Sequence, residues 1–417
     1  MKVLYVVGTN LSKNTSANIS HNAYVKGLLE NDCQVDILMS SSSWGESDES
    51  LPTWKEATYF IYNSVSLIDR FKIKFKNIFD KKVIIKDENI DKTKLRTVVS
   101  APNDNWKEPI RNLIKKSYEF ISNKSQLYKL ERTWLKNASC FKINTEYDLI
   151  ISNSSPAASH KLVLNLLSKK NITAKRWVQI WEDPWFYDIY GGNSEEVKQE
   201  EHKLLQAAKE IFYVSVLTLQ YQKIHFPDCA HKMEHIPLPF LQLSENKPRK
   251  NLESCIFGYF GDFYSRTRNL QPFYEALREG GASGYIYGDG DIPLLSTSDV
   301  QVHGRVTLDK LAKLQDESDV LVHLCNLQGG QIPGKIYHYS ATTKPILFIL
   351  DGTTKEMLII KNYFKNYNRY HFCENRKEDI LKSIKSFLTG NENFDKQPVH
   401  EYQHIQVISK LLNNNEQ

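Results

Sequence analysis

Six cysteines in 417 residues, Cys33, Cys140, Cys229, Cys255, Cys325 and Cys373, form no CxxC pair and have no histidine at zinc-finger spacing. That excludes a disulfide-stapled scaffold and a zinc finger, and predicts reduced thiols in a cytoplasmic chain. Long hydrophobic runs are missing too: Pro345–Leu350 is followed at once by Asp351 and Lys355. A span needs about eighteen apolar residues or more, so any contact with a bilayer is expected to be peripheral. The P-loop pattern GxxxxGK[ST] is absent, and no strand-linked GxGxxG occurs in the first half, which removes the main support for kinase and nicotinamide-dehydrogenase chemistry. Charge of one sign is scarce as well. The 54 Lys and Arg against 49 Asp and Glu leave a net charge of +5, too small to argue for nucleic acid as a partner.

What is present is a globular composition, 41% hydrophobic and 25% charged, in a chain long enough for two to three domains. The opening run Val3–Val7 ends in Gly8-Thr9-Asn10 without a small-residue cleavage site, so it reads as a buried strand and not as a signal peptide. A helix from about Ser16 to Leu29 and a strand over Gln34–Met39 follow. The pattern repeats at Tyr147–Ser152, Ala157–Leu167, Trp177–Ile180 and Glu210–Ser215, around a polar, basic insertion at roughly 44–140 with a helical segment Glu108–Leu135. After the turn-rich stretch Leu243–Lys250 the pattern restarts: strands Cys255–Phe260, Gly284–Tyr287, Val320–Leu324 and Pro345–Leu350, and helices Leu270–Glu279 and Lys335–Ala341. Short apolar runs alternating with helices predict parallel, doubly wound sheets. We expect an α/β chain with two Rossmann-like halves facing each other across a cleft, residues 1–242 and 252–392. One large sheet with a lid is the alternative. Glu378–Leu388 and Val399–Leu412 read as two terminal helices.

Ligands of such sheets bind beyond the strand carboxyl ends. Gly329-Gly330-Gln331-Ile332-Pro333-Gly334-Lys335 sits at one such end, where glycines let a backbone approach a phosphate and Lys335 adds a cation; an ordinary loop with a solvated lysine is the plain alternative. Phe260–Asn269 brings Arg266 and Arg268 to a second strand end, and arginine forks suit diphosphate oxygens. Glu182 and Asp183, flanked by Trp181 and Trp185, fall at a strand end of the first half and are candidates to orient an acceptor hydroxyl or take its proton. Equally, Asp183 caps a turn before Pro184 and the tryptophans are core. For His160 a structural place is favoured over a ligand role. Arg70, Lys72, Lys74, Lys76, Lys81 and Lys82, interleaved with Phe71, Ile73, Phe75, Ile78 and Phe79 and continued by Lys115, Lys116, Lys124, Lys129 and Arg132, form either a face for an anionic membrane or a solvated edge.

Taken together, these residues resemble glycosyltransferases of GT-B fold, of the retaining family 4 type, over nearly the whole chain. Gly8-Thr9-Asn10 through Asn18 resembles the family's amino-terminal glycine loop, Ser154-Ser155-Pro156 its serine-proline strand end, and Glu182-Asp183-Pro184-Trp185 its Arg-Asp-Pro-Trp stretch. Gly258–Gly261 with Arg268 resembles its diphosphate site, and Gln331–Leu347 its proline-lysine-helix signature, the most specific match.

The resemblance implies transfer of a sugar from a nucleotide diphosphate sugar to a glycan, lipid-linked or other glycoconjugate acceptor in bacterial surface polysaccharide assembly. It implies no cofactor and no metal, in line with the lack of a DxD pair flanked by strand-like sequence. By residue, it implies Glu182, Asp183, Arg268 and Lys335 as catalytic. Gly261, Arg266, Arg268, Gly288, Gly330, Pro333, Gly334, Lys335 and His338 fall on the donor side, and Gly8, Thr9, Asn18, Ser154, His160 and Trp185 on the acceptor side. It also implies that the last helix, within 393–417, crosses back onto the first half, with hinges near 241–251 and 390–398, and that the protein is cytoplasmic, with peripheral contact at the inner face of the membrane as one of two readings of the basic insertion.

Two departures stand out. The family commonly has glutamates where this chain has His338 and Gly330, and Asp262 replaces a frequent basic residue. An imidazole cannot accept bidentately as a carboxylate does. These changes fit an altered donor or a non-catalytic relative acting as a binding subunit; an epimerase on the same fold is a further reading.

Overall fold

The computed structural model describes all residues except 42–46, 65–126, 155, 190, 245–254, 391–394 and 414–417. The basic positions from Arg70 to Lys124, most of the helical segment Glu108–Leu135 and parts of both expected hinges lie outside the described residues.

Among the described residues the strands form two parallel sheets. The first holds β1 (Lys2–Val7), β2 (Gln34–Ser40), β3 (Thr58–Tyr62), β4 (Leu149–Ser154), β5 (Trp177–Trp181), β6 (Glu210–Tyr213) and β7 (Met233–His235), in the order β3-β2-β1-β4-β5-β6-β7. The second holds β8 (Ile256–Phe260), β9 (Ser283–Tyr287), β10 (Val300–His303), β11 (Val320–Leu324), β12 (Ile346–Leu350) and β13 (Tyr370–Glu374), in the order β10-β9-β8-β11-β12-β13. β1, β4, β5, β8, β11 and β12 are buried or nearly so along their whole length. Helices cover both sheet faces, so these strands read as unbroken apolar runs rather than alternating ones. Each order reverses once, between β1 and β4 and between β8 and β11, and such points are where strand-end loops part to admit ligands.

The helix Ser16–Glu30 starts where Thr15 caps it, its hydroxyl accepting from the Asn18 amide at 3.1 Å. On its far side lies the helix His404–Asn413, which crosses back from the second sheet as expected. His404 Nε2 meets Glu30 Oε2 at 2.7 Å, Ser409 Oγ donates to Asn31 Oδ1 at 2.9 Å, and Arg176 donates to the Leu411 carbonyl at 3.0 Å. Gly27 permits this approach: a Cβ there would stand 2.5 Å from the His404 carbonyl oxygen. One expectation is corrected. Val399–Leu412 is not a continuous helix; a short turn, His400–Tyr402, precedes His404–Asn413. Gln403 is extended between them because Phe240 draws the chain into a β-bridge, donating to the Tyr402 carbonyl at 3.0 Å.

A single apolar core runs under the seam, with Tyr5, Ile37 and Ile180 of the first sheet and Leu321, Ile346 and Phe348 of the second joined through Phe240, Tyr337 and Tyr402. No helix among the described residues is long and apolar enough to cross a membrane.

Candidate active site

A cleft of about 1110 Å³ opens between the sheets at the strand carboxyl ends. The loop and first turn of the Ser16–Glu30 helix supply one wall through Asn14, Thr15, Ser16 and Ile19. The other wall carries Gly261, Arg268, Gly288, Arg305, Pro333, Gly334 and Lys335. The lining also holds the carboxylates Asp48, Glu49, Asp262 and Asp309 against the cations Arg268, Arg305, Lys310 and Lys335; the amide end of a fifteen-residue helix adds to those cations and favours an anion between them.

Arg268 is held on two sides. Its Nε donates to Asn326 Oδ1 at 3.0 Å and its Nη1 to the Asp262 carbonyl at 3.2 Å. Burial lowers the Lys335 ammonium to about 8, with Arg268 and Arg305 adding to the effect and Asp262 opposing it. At neutral pH it is still mostly protonated, as a cation short of counter-charge. Arg305 pairs with Asp262, its Nε 3.0 Å from Oδ1, and lies 3.3 Å from Asp289. Gly288 sits so close to the Gly261 carbonyl that a Cβ would stand 2.0 Å from its oxygen. Contrary to the sequence expectation, a DxD pair does follow a strand: Asp289-Gly290-Asp291 stands one residue after β9, and both carboxylates are engaged, Asp289 by Arg305 and Asp291 by the Ser265 amide and hydroxyl at 2.7 and 2.9 Å.

Three donor-side candidates stand off this wall. Arg266 is exposed at the surface, and the cation that joins Arg268 and Lys335 on the wall is Arg305 instead. His338 does not line the cleft; it is half-buried, and burial with the nearby Lys335 charge lowers its pKa to about 4, leaving a neutral imidazole. Gly330 lies in the seam and not on the wall. Its carbonyl accepts from Ser215 Oγ at 2.5 Å and Thr218 Oγ1 at 2.7 Å, and a Cβ would stand 2.9 Å from Thr218 Cα. A glutamate at 330 therefore has no room in this packing, which gives the missing carboxylate a steric reason.

In the first half, Glu182 lies just after β5 with Oε1 3.6 Å from His21 Nδ1. Burial, and secondarily Asp183, push its pKa well up; burial also lowers His21 to about 3. Both shifts disfavour the charged forms, so this contact is not a strong ion pair, and ionising Glu182 is costly where it stands. Asp183 is raised by burial and accepts from Gln331 Nε2 at 2.8 Å, which reaches Asp188 Oδ2 at 3.3 Å as well.

The other acceptor-side expectations fare unevenly. Asn18 is buried and spends its side chain on the loop, donating to the Asn10 and Lys13 carbonyls and accepting from Thr9 Oγ1 at 2.7 Å, so Thr9 and Asn18 shape the loop rather than offer free groups. Gly8 packs on Pro156. His160 is core: fully buried, 2.7 Å from Ser152 Oγ, its ring 4.3 Å from Trp181. Trp181 is core too, whereas Trp185 is half-buried against Tyr128. Ser154 is buried at the end of β4.

Sequence reading missed Arg305, Asn326 and Gln331 as site residues. Arg305 follows the strand-end pair His303-Gly304, a signal of the kind that drew attention to Arg268, but β10 itself was not seen. Away from the cleft, His202, Asp228 and Cys229 form a group able to hold a metal ion, with His202 Nε2 2.7 Å from Asp228 Oδ2.

No protein-family model matches the chain, and no curated protein matches it in sequence. Solved structures do match in shape. The crystal structure of TarM superposes with a TM-score of 0.58 at 12% identity, covering 99% of this chain and 98% of that one. The lipopolysaccharide outer core galactosyltransferase WaaB, in its apo form, gives 0.54 at 12% identity, with 99% and 98% covered. A glycosyltransferase from Rickettsia africae gives 0.50 at 13% identity, with 98% and 93% covered. The chain has the GT-B fold. At these identities the likeness is one of fold, and the chemistry must be argued from the cleft.

Proposed function

We propose that the chain is a retaining glycosyltransferase of the family 4 type. It takes a sugar from a nucleotide diphosphate sugar and passes it to a glycan or lipid-linked acceptor in surface polysaccharide or glycoconjugate assembly at the cytoplasmic face of a bacterial membrane. The observation that carries this reading is the cleft itself, which sets Arg268 and under-neutralised Lys335 opposite the amide end of the Ser16–Glu30 helix, between two parallel sheets of the GT-B type.

In this reading the residues around 252–392 hold the donor and those of 1–242 the acceptor. As the bond from the anomeric carbon to the diphosphate breaks, negative charge grows on the leaving oxygen. Arg268 and Lys335, fixed before the reaction, stabilise that charge without a metal, the kind of preorganisation that dominates such steps. Glu182, whose ionisation its surroundings disfavour, and Asp183, held by Gln331, belong to the acceptor side. WaaB is a galactosyltransferase and the Rickettsia protein a glycosyltransferase, which supports the reaction class proposed here.

The test is calorimetric binding of UDP, GDP, ADP and CDP, followed by acceptor-dependent turnover of the matching sugar donors. Wild type should bind one of the four selectively, and Arg268→Ala should weaken it by roughly ten- to a hundredfold, the worth of a hydrogen bond to a charged group. Binding of none of the four, or unchanged binding by Arg268→Ala, would overturn the assignment and favour a non-catalytic partner subunit.

A further inference from the structure

From the chain of contacts that links the cleft to the acceptor side, we infer that Asn326 and Gln331 are positioning residues that couple donor binding to Asp183; this rests on the function proposed above. Arg268 Nε donates to Asn326 Oδ1 at 3.0 Å. The same amide's Nδ2 donates to the Gln331 carbonyl at 3.0 Å. Gln331 Nε2 then donates to Asp183 Oδ1 at 2.8 Å. Asn326 and Gln331 are 7% and 8% exposed, so these bonds are shielded from competing water.

The path crosses the molecule. Arg268 and Asn326 follow strands of the second sheet, while Asp183 follows β5 of the first. Neither Asn326 nor Gln331 lines the cleft, so neither is placed to touch the donor. Each acts through another residue, Asn326 by fixing the direction of the Arg268 fork and Gln331 by tying that loop to the opposite half.

The loop is further pinned one residue earlier, where Ser215 and Thr218 both donate to the Gly330 carbonyl. Backbone freedom between 330 and 331 is thus small, and a shift of the Gln331 carbonyl has to be taken up at its side chain. An amide at 326 serves both ends, because only a side chain with one acceptor and one donor meets Arg268 and a carbonyl together. When an anion draws Arg268 forward, the Asn326 amide follows, and the Gln331 contact to Asp183 changes with it. By linkage, whatever changes at Asp183 must alter donor affinity by the same factor.

The experiment measures, by calorimetry, the dissociation constant of whichever of UDP, GDP, ADP and CDP wild type binds most tightly. It uses wild type, Asn326→Ala, Gln331→Met, Asp183→Ala and the Gln331→Met/Asp183→Ala double variant, each first checked by thermal melting. Asn326→Ala should weaken binding about tenfold, by loosening Arg268. Gln331→Met, remote from the cleft, should still shift affinity several-fold. Asp183→Ala should shift it by a similar factor in the wild-type background and not at all once Gln331 is methionine, since partners in one network are non-additive.

Equal effects of Asp183→Ala in both backgrounds, or none in wild type, would overturn the coupling while leaving nucleotide binding intact. Should Asp183→Ala fail to fold, an unchanged affinity in Gln331→Met overturns it alone. Wild type binding none of the four nucleotides removes both the proposed function and the coupling.

Discussion

Replacing Lys335 by methionine should make the protein more stable and a poorer binder at once. The lysine pKa falls from 10.5 to about 8 in the fold. At pH 7 a shift of that size corresponds to roughly 3 kcal/mol of unfavourable charging, at about 1.4 kcal/mol per unit. Lys335 is only partly buried by surface area, so solvent screens part of this, and a gain of about 1–2 kcal/mol is the expectation. In a chain of this size that is on the order of a few degrees in melting temperature.

The sign of the pH dependence is fixed by the direction of the shift. The folded pKa lies below the unfolded one, so wild type carries the whole penalty below pH 8 and loses it as the pH rises from 8 to 10.5. The stability gap between Lys335→Met and wild type should therefore be widest near pH 7 and close toward pH 10. Nucleoside diphosphate affinity should move the opposite way. Lys335→Met should lose about ten- to a hundredfold, and wild-type affinity should itself decline above pH 8 as the ammonium deprotonates. Differential scanning fluorimetry from pH 6.5 to 10, with calorimetry on the same samples, reads both. A Lys335→Met protein less stable than wild type by an amount independent of pH would refute the reasoning.

Glu182 offers a test of opposite sense. Its pKa is raised above 4.5 by burial and by Asp183, so wild type loses stability as the pH climbs from the unfolded value through the folded one. Glu182→Gln should match wild type near pH 5 and melt higher at pH 8; parallel melting curves would show that the carboxyl is not held neutral. Gly288→Ala should cost about 1–3 kcal/mol or more, since its Cβ would meet the Gly261 carbonyl oxygen at 2.0 Å, and should weaken nucleotide binding by moving the strand end that carries Gly261. A wild-type melting temperature in that variant would count against the close approach.

The parts of this molecule that could be read from sequence share a physical cause. A strand covered by helices on both faces must be apolar throughout, so Val3–Val7, Val320–Leu324 and Ile346–Leu350 declare themselves without any partner in view. β10 does not: its pattern is buried at Val300 and exposed at Gln301 and His303, because it lies at a sheet edge, and with it Arg305 went unnoticed. The cations Arg268 and Lys335 were legible because they stand in glycine-bearing segments that follow strands, Arg268 in the loop that Gly261 opens and Lys335 directly after Gly334. Asn326 and Gln331 were not, since an amide's importance depends on which groups it bridges: Asn326 joins the Arg268 guanidinium, 58 residues before it, to the Gln331 carbonyl, and Gln331 reaches the Asp183 carboxylate, 148 residues before it. His338 misled for a related reason: the helix places Lys335 and Tyr339 on the wall and turns position 338 off it.

Gly27 sets local preference against tertiary packing, and the magnitudes decide between them. In an isolated helix, alanine would stabilise this position by about 1 kcal/mol over glycine. In the fold the new Cβ would lie 2.5 Å from the His404 carbonyl oxygen and 2.7 Å from Ile408 Cγ1. The isoleucine can rotate away, but the carbonyl belongs to the backbone at the start of the crossing helix and cannot. Relief then requires that helix to move off Ser16–Glu30, stretching the His404–Glu30, Asn31–Ile405 and Ser409–Asn31 contacts, now 2.7, 3.3 and 2.9 Å. Overpacking of this kind costs about 1–3 kcal/mol, and the lost contacts add to it, so the net effect should be destabilising despite the better helix former. Gly27→Ala should therefore lower the melting temperature and expose the segment after Tyr402 to limited proteolysis before the rest of the chain. A variant that melts above wild type, with its carboxyl-terminal helix equally protected, would mean that the two helices do not approach as closely as the structure places them.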